Sequence, residues 1–175
     1  MPDQEILLVE TSEDVNTIHP RDETKLAYIT QTTLSIDDTS DIVLALKQRF
    51  PLIIGPHKED ICYATTNRQN AVKDLTKKCD IIFVVGSENS SNSNRLKEIS
   101  TRSGVPSYLL DCADDLDVKW LLNKKNIGLT AGASAPEVLV QSIINKLKGY
   151  GAINVINSTG VEESITFKIP KELLL

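Results

Sequence analysis

The chain is 175 residues long, 41% apolar and 25% charged, with a formal net charge of −5. That length supports one domain, or two small ones, around a real core, while the acidic balance leaves no basic stripe for phosphate backbones and excludes a general nucleic-acid partner. No apolar run approaches the roughly 20 residues that span a bilayer, and the acidic opening Met1-Pro2-Asp3-Gln4-Glu5 lacks a signal-peptide pattern, so a cytoplasmic chain without a membrane partner is expected.

Apolar, branched runs alternate with helical patterns along the whole chain. Leu7–Val9 and Leu26–Thr30 are the first strand candidates. Ser35 opens a helix, with Asp38 three residues on as in a capping box, and Ile42, Val43, Leu46 and Phe50 give that helix one apolar face. Pro51 and Pro56 bracket a short extended piece, Leu52–Ile54. Ile61–Ala64 leads to Thr66-x-x-Gln69, a second capping-box pattern, and Ala71, Val72 and Leu75 make the stripe of the helix behind it. Ile81–Val85 is an unbroken apolar run, the mark of a strand covered on both faces of a parallel sheet. Gly86 ends it, and a helix through Arg95, Leu96 and Ile99 follows to Gly104 as C-terminal cap. Ser107–Leu110 is a strand, Val118–Leu122 a short helix packed through Trp120, and Asn126–Thr130 a further strand. Ser134-Ala135-Pro136-Glu137 combines a hydroxyl cap, an early proline and an acidic third position. Val138, Ile143, Ile144 and Leu147 form the core face of the helix it starts, and Ile153–Val155 with Ile165–Phe167 reads as closing edge strands. Strands alternating with helices give an α/β fold with mostly parallel sheets and flanking helices. The one weak join, at Gly55–Lys58, separates residues 1–58 from a compact unit at 59–150, with 151–175 as strands and tail.

Three polar loops open helices: Gln31–Ser35, Gly86–Asn94 and Thr130–Ser134. Free N–H groups and partial positive charge at helix N-termini suit an anion, and ligands of such folds sit at the carboxyl ends of the strands. Each loop also has a plainer reading: Ser90, Ser91 and Asn92 as a solvated cap, Ser134 as a cap only, Thr32 and Thr33 as strand-end threonines. Cys62 is either a small buried hydrophobe or, lying in line with the loops at a strand end, a metal ligand or nucleophile. The cysteines, Cys62, Cys79 and Cys112, are odd in number and widely spaced, which makes neither a disulfide framework nor a CxxC knuckle, and Cys79 and Cys112 read as buried hydrophobes. His19 and His57 lie beside prolines in polar stretches and read as surface residues. No Walker loop, GxGxxG, HExxH or nucleophile elbow occurs, which argues against a generic nucleotide-binding domain.

Taken together, Thr30–Ser35, Asp60–Gln69, Val85–Leu96 and Thr130–Pro136 occur in the order of one family. The chain resembles the carboxyl-terminal part of the 4-hydroxy-3-methylbut-2-enyl diphosphate reductases, the LytB family, over essentially its whole length, including Phe167–Leu173. The resemblance implies three α/β domains around a 4Fe-4S cluster held by three cysteines, of which this chain supplies the end of the second domain and all of the third. It implies reductive removal of the substrate hydroxyl as water, giving isopentenyl and dimethylallyl diphosphate, the last step of the non-mevalonate isoprenoid pathway, with a ferredoxin or flavodoxin as electron donor. Cys62 matches the third cluster cysteine. Thr32, Ser90, Ser91, Asn92 and Ser134 match positions that bind the diphosphate substrate. The family's amino-terminal portion, with two further cluster cysteines, diphosphate-contacting histidines and the proton-delivering glutamate, has no counterpart here, so no catalytic proton donor is expected in this chain. The expectation is a polypeptide inactive by itself, a fragment or one piece of a split enzyme, with apolar surface left exposed where its partner portion would lie. The rival expectation is a non-catalytic α/β domain that binds a phosphorylated metabolite.

Overall fold

The computed structural model describes residues 6–56, 60–152 and 154–158. Its helices are α1 (Ile36–Arg49), α2 (Tyr63–Thr76), α3 (Ser91–Arg102) and α4 (Glu137–Gly149). Its strands are β1 (Ile81–Val85), β2 (Ser107–Leu110) and β3 (Ile127–Ala131), which form a parallel sheet in the order β2-β1-β3. Val84 lies opposite Leu109 on one side and Thr130 on the other. The central strand, Ile-Ile-Phe-Val-Val, is buried along its entire length, as its unbroken apolar run requires.

Because successive side chains of a strand point to opposite faces, β1 divides its residues between two cores. Ile81, Phe83 and Val85 pack with Leu110, Leu116 and the α4 residues Ile143 and Leu147. Ile82 and Val84 pack with Val72 of α2 and with Leu96 and Ile99 of α3. Trp120 closes the first core by stacking on Tyr108 at 4.0 Å between centroids. Each fully buried β1 side chain contributes about 1.5–3 kcal/mol, so this strand is the energetic centre of the molecule. Asp80, just ahead of it, ties the start of β3 to the start of β1: its carboxylate accepts from the backbone of Lys125 and Asn126 at 2.9 and 2.8 Å.

A separate cluster of Val15, Leu46 and Phe50 holds α1 to the preceding chain, helped by the Arg49 guanidinium, which donates to the Val15 carbonyl. Here the strand expected at Leu26–Thr30 shrinks to one parallel bridge, Ala27 with Ile54 of the short extended piece. Leu7–Val9 forms no strand; Val9 instead rests against the α1 cluster. The apolar side chains Ile29, Leu52 and Ile54 remain 88%, 67% and 68% exposed, so no third layer fixes these segments into a ladder. The closing strands expected beyond residue 152 lie mostly outside the described residues; Asn154 and Val155 are irregular.

Candidate functional site

Chain order alone gathers the helix starts at one edge of the sheet. The carboxyl ends of β1 and β3 run directly into the loops before α3 and α4, and α2 leads into the amino end of β1 through four residues, 77–80. A helix packed on the sheet and joined to it so briefly must run antiparallel to the strand, so α2, α3 and α4 all begin at the carboxyl edge. The sheet order also makes the space between β1 and β3 the point where the connections diverge, the position ligands favour in open α/β sheets.

Two loops meet at that point. The Gly132 amide, past β3, donates to the carbonyl of Val85, the last residue of β1, at 2.9 Å. Gly86 has φ +154°, a backbone few side-chain-bearing residues adopt. At either glycine an added Cβ would collide with the Ser93 hydroxyl, so both permit the close approach of the loops. Ser90 is the N-cap of α3, its hydroxyl accepting from the Ser93 backbone. Asn92 stands in the first turn, only 6% exposed, and its amide oxygen and nitrogen have no hydrogen-bond partner among the described residues. Ser91 is exposed on the same turn.

Cys62 occupies a different place from the one its sequence suggested. It ends no strand; it is the N-cap of α2, with φ −69° and ψ 147°, and its sulfur accepts from the Thr65 amide at 3.4 Å. The expected start at Thr66 is four residues late, because sulfur here does the work usually given to oxygen. The thiol is exposed. The Thr65 hydroxyl, 3.1 Å from the sulfur, holds its pKa below the ordinary thiol value, opposed by partial burial and aided by the Thr65 and Ala64 amides and the Arg68 charge. Burial pushes Cys79 the other way; its sulfur would lie 3.2 Å from a Cβ at Gly128. Cys112 is exposed rather than buried.

Thr32 is joined to Cys62 directly, its carbonyl accepting from the Cys62 amide at 3.3 Å. The polar loop is held there by Gln69, a residue the sequence reading placed only as a cap partner. Gln69 is 1% exposed, accepts from the Ile36 amide at 3.1 Å and donates to the Leu34 carbonyl at 2.7 Å. Ser35 caps α1 as expected, accepting from Asp38 at 3.2 Å. The Asp38 carboxylate, however, turns to Arg102 and Arg95 of α3, and Asp37 pairs with Lys73 of α2. Ser134 is exposed and is not a cap: Pro136 holds the N-cap position of α4, with Ser134 inside a turn closed by Ala135 donating to Gly132. Val138, expected in the core, is 71% exposed, while Ile143 and Leu147 are buried. His19 is exposed, and His57 lies outside the described residues.

The structure thus joins Thr32 to Cys62 and, through Ser93, sets the first turn of α3, which carries Ser91 and Asn92, against Gly132. The model of the LytB protein family matches residues 1–148. The chain belongs to the LytB family. This LytB chain is 58% identical over 168 residues to the 4-hydroxy-3-methylbut-2-enyl diphosphate reductase of Actinobacillus succinogenes, covering 96% of itself and 54% of that relative. With the Proteus mirabilis protein of the same name it shares 54% over 174 residues, 99% of itself and 55% of the relative. A solved E-1-hydroxy-2-methyl-but-2-enyl-4-diphosphate reductase from Plasmodium falciparum superposes with a TM-score of 0.84 at 39% identity, over 94% of this chain and 52% of that one. The LytB chain therefore spans about half the length of the curated relatives it matches. No helix among its described residues is long and apolar enough to cross a membrane.

Proposed function

We propose that this LytB chain is the carboxyl-terminal part of a reductase that converts 4-hydroxy-3-methylbut-2-enyl diphosphate to isopentenyl and dimethylallyl diphosphate. Two electrons and two protons enter, the allylic C–O bond breaks, and the oxygen leaves as water. A ferredoxin or flavodoxin supplies the electrons. In this reading residues 1–58 complete the second and 59–150 form the third of three α/β domains, and the exposed Ile29, Leu52 and Ile54 lie where the rest of the enzyme seats. The observation that carries the reading is Asn92: a buried amide with both polar atoms unpaired among the described residues, in the first turn of a helix whose N–H groups favour anions. Leaving such atoms unpaired costs about 1–3 kcal/mol each, a cost recovered when a diphosphate oxygen and its neighbours arrive.

Thr32, Ser90, Ser91 and Ser134 supply further hydroxyl donors to the diphosphate in this scheme. Cys62 fits an iron–sulfur ligand by its exposure and its thiol pKa, held down by Thr65. One thiolate is not a cluster site, and no group of three metal-ligating side chains gathers among the described residues. The remaining ligands therefore belong to the half of the relatives that this chain does not span. A 4Fe-4S cluster bound there supplies electrons and, at an open iron, Lewis acidity. This chain's own part is to hold the diphosphate and to offer Cys62 as thiolate.

Anaerobic reconstitution with iron and sulfide tests the proposal, with this chain alone and with it co-expressed with the amino-terminal half of the Actinobacillus relative. The expected outcome is substoichiometric iron and no turnover alone, and a cluster with diphosphate-dependent turnover together, abolished by Cys62→Ser. Turnover by the chain alone refutes the incompleteness. An assembled pair free of iron and indifferent to Cys62→Ser, yet binding pyrophosphate, leaves the non-catalytic binding domain as the answer.

A further inference from the structure

Ser93 has no place in the scheme above, yet it lies where the loops after β1 and β3 meet. It is fully buried, with 0% exposure, and its hydroxyl faces the Cα positions of both Gly86 and Gly132. The described residues offer that hydroxyl one hydrogen-bond partner, Ser90 Oγ at 3.0 Å. The Ser93 amide also donates to Ser90 Oγ, at 3.3 Å. A hydroxyl oxygen has two lone pairs and one proton. If Ser93 fills both lone pairs of Ser90, the Ser90 proton has no inward acceptor and is free only to donate away from the helix. The opposite arrangement, Ser90 donating inward, would bury the Ser93 proton without an acceptor, at the cost of an unsatisfied donor.

We propose that Ser93 is a positioning residue for the anion subsite, acting through Ser90. By donating twice to the Ser90 oxygen it fixes the Ser90 hydroxyl as an outward donor to a phosphoryl oxygen. The role rests on the diphosphate-binding reading, and it deepens it. Hydrogen bonds in a chain polarise one another, so the Ser93 proton also makes the Ser90 O–H a stronger donor. Gly86 and Gly132 belong to the same device, because any side chain at either would push the Ser93 hydroxyl from its place.

The test is calorimetric titration with inorganic pyrophosphate of the assembled pair described above, this chain with the amino-terminal half of the Actinobacillus relative, for wild type, S93A, S90A and the double variant. Wild type is expected to bind, and S93A to bind about five- to tenfold more weakly, the scale of one lost neutral hydrogen bond. In the S90A background, S93A is expected to have no further effect. A purely structural Ser93 would instead weaken both backgrounds equally, which overturns the proposal. Unchanged or tighter binding by S93A, with wild type binding, overturns it too and leaves the diphosphate reading standing. No binding by wild type overturns both. A readout on the unmutated chain covers a poorly folded S93A: in mixed H2O and D2O, the Ser93 Cβ carbon resonance is expected to split from slow exchange of its donated hydroxyl proton, and a single averaged line counts against the assignment.

Discussion

Cys62 and Thr65 divide one chemical task between them. The cysteine caps α2 and so sits against the positive end of a helix, and the Thr65 hydroxyl 3.1 Å away favours the thiolate. A thiol whose pKa is lowered is ionised at lower pH, so its alkylation profile lies to the acid side of an ordinary cysteine. Site-resolved mass spectrometry with iodoacetamide near pH 7.5 is expected to find Cys62 reacting faster than Cys79, whose pKa burial raises. Thr65→Ala removes the largest lowering contribution, so it is expected to move the Cys62 profile to higher pH and slow its reaction severalfold at that pH; an unchanged profile would assign the effect to the helix end alone. At this scale the sequence was informative where chemistry is local. Ser90 as a cap and Cys62 as the distinctive cysteine could be read from their neighbours. Gln69 could not be placed, because its two partners, Ile36 and Leu34, are more than thirty positions away, and nothing local separates a buried bridging amide from an exposed one.

Among the elements, the contact between the β1 and β3 loops is the most sensitive to volume. A methyl on Gly132 collides with the Ser93 hydroxyl, but once that oxygen is gone the next Ser93 atom stands 3.6 Å away, an ordinary contact. Gly132→Ala is therefore expected to cost about 1–3 kcal/mol in urea unfolding, as overpacking does, and S93A/G132A to be more stable than the sum of the single effects predicts. Additive energies would mean that the loop yields elsewhere. The elements themselves were legible in proportion to their burial. The unbroken run of β1 named a strand covered on both faces, and α3 and β2 fell where expected. The starts of α2 and α4 did not, because the decisive groups were a sulfur and a proline ring in place of the expected hydroxyls. The short extended pieces at Leu7–Val9 and Leu26–Thr30 had strand composition without a sheet to join.

The whole molecule is organised around two centres joined by polar ties. The α1 cluster of Val15, Leu46 and Phe50 is distinct from the two cores around β1. Between them run the Gln69 bridge and the pairs of Asp37 and Asp38 with Lys73, Arg95 and Arg102. The four segments that pointed to the LytB family lie at the helix starts, which is why order along the sequence carried more than any one motif. What the chain could not reveal is what would complete the proposed cluster site around Cys62, since about half the length of the relatives lies outside it. The gathering of helix starts at the carboxyl edge has a converse on the opposite rim. There the chain turns through Gly104, at φ +81°, and Asn123, at φ +60°, in turns that carry none of the residues grouped at the site. The rim is thus open to remodelling: a short Gly-Ser insertion between Ser103 and Gly104 is expected to leave pyrophosphate affinity within about twofold, as exposed turns tolerate added length, while the same insertion after Gly86 abolishes it. New functions can be grafted onto this protein from beneath, with the loops at the carboxyl edge left untouched.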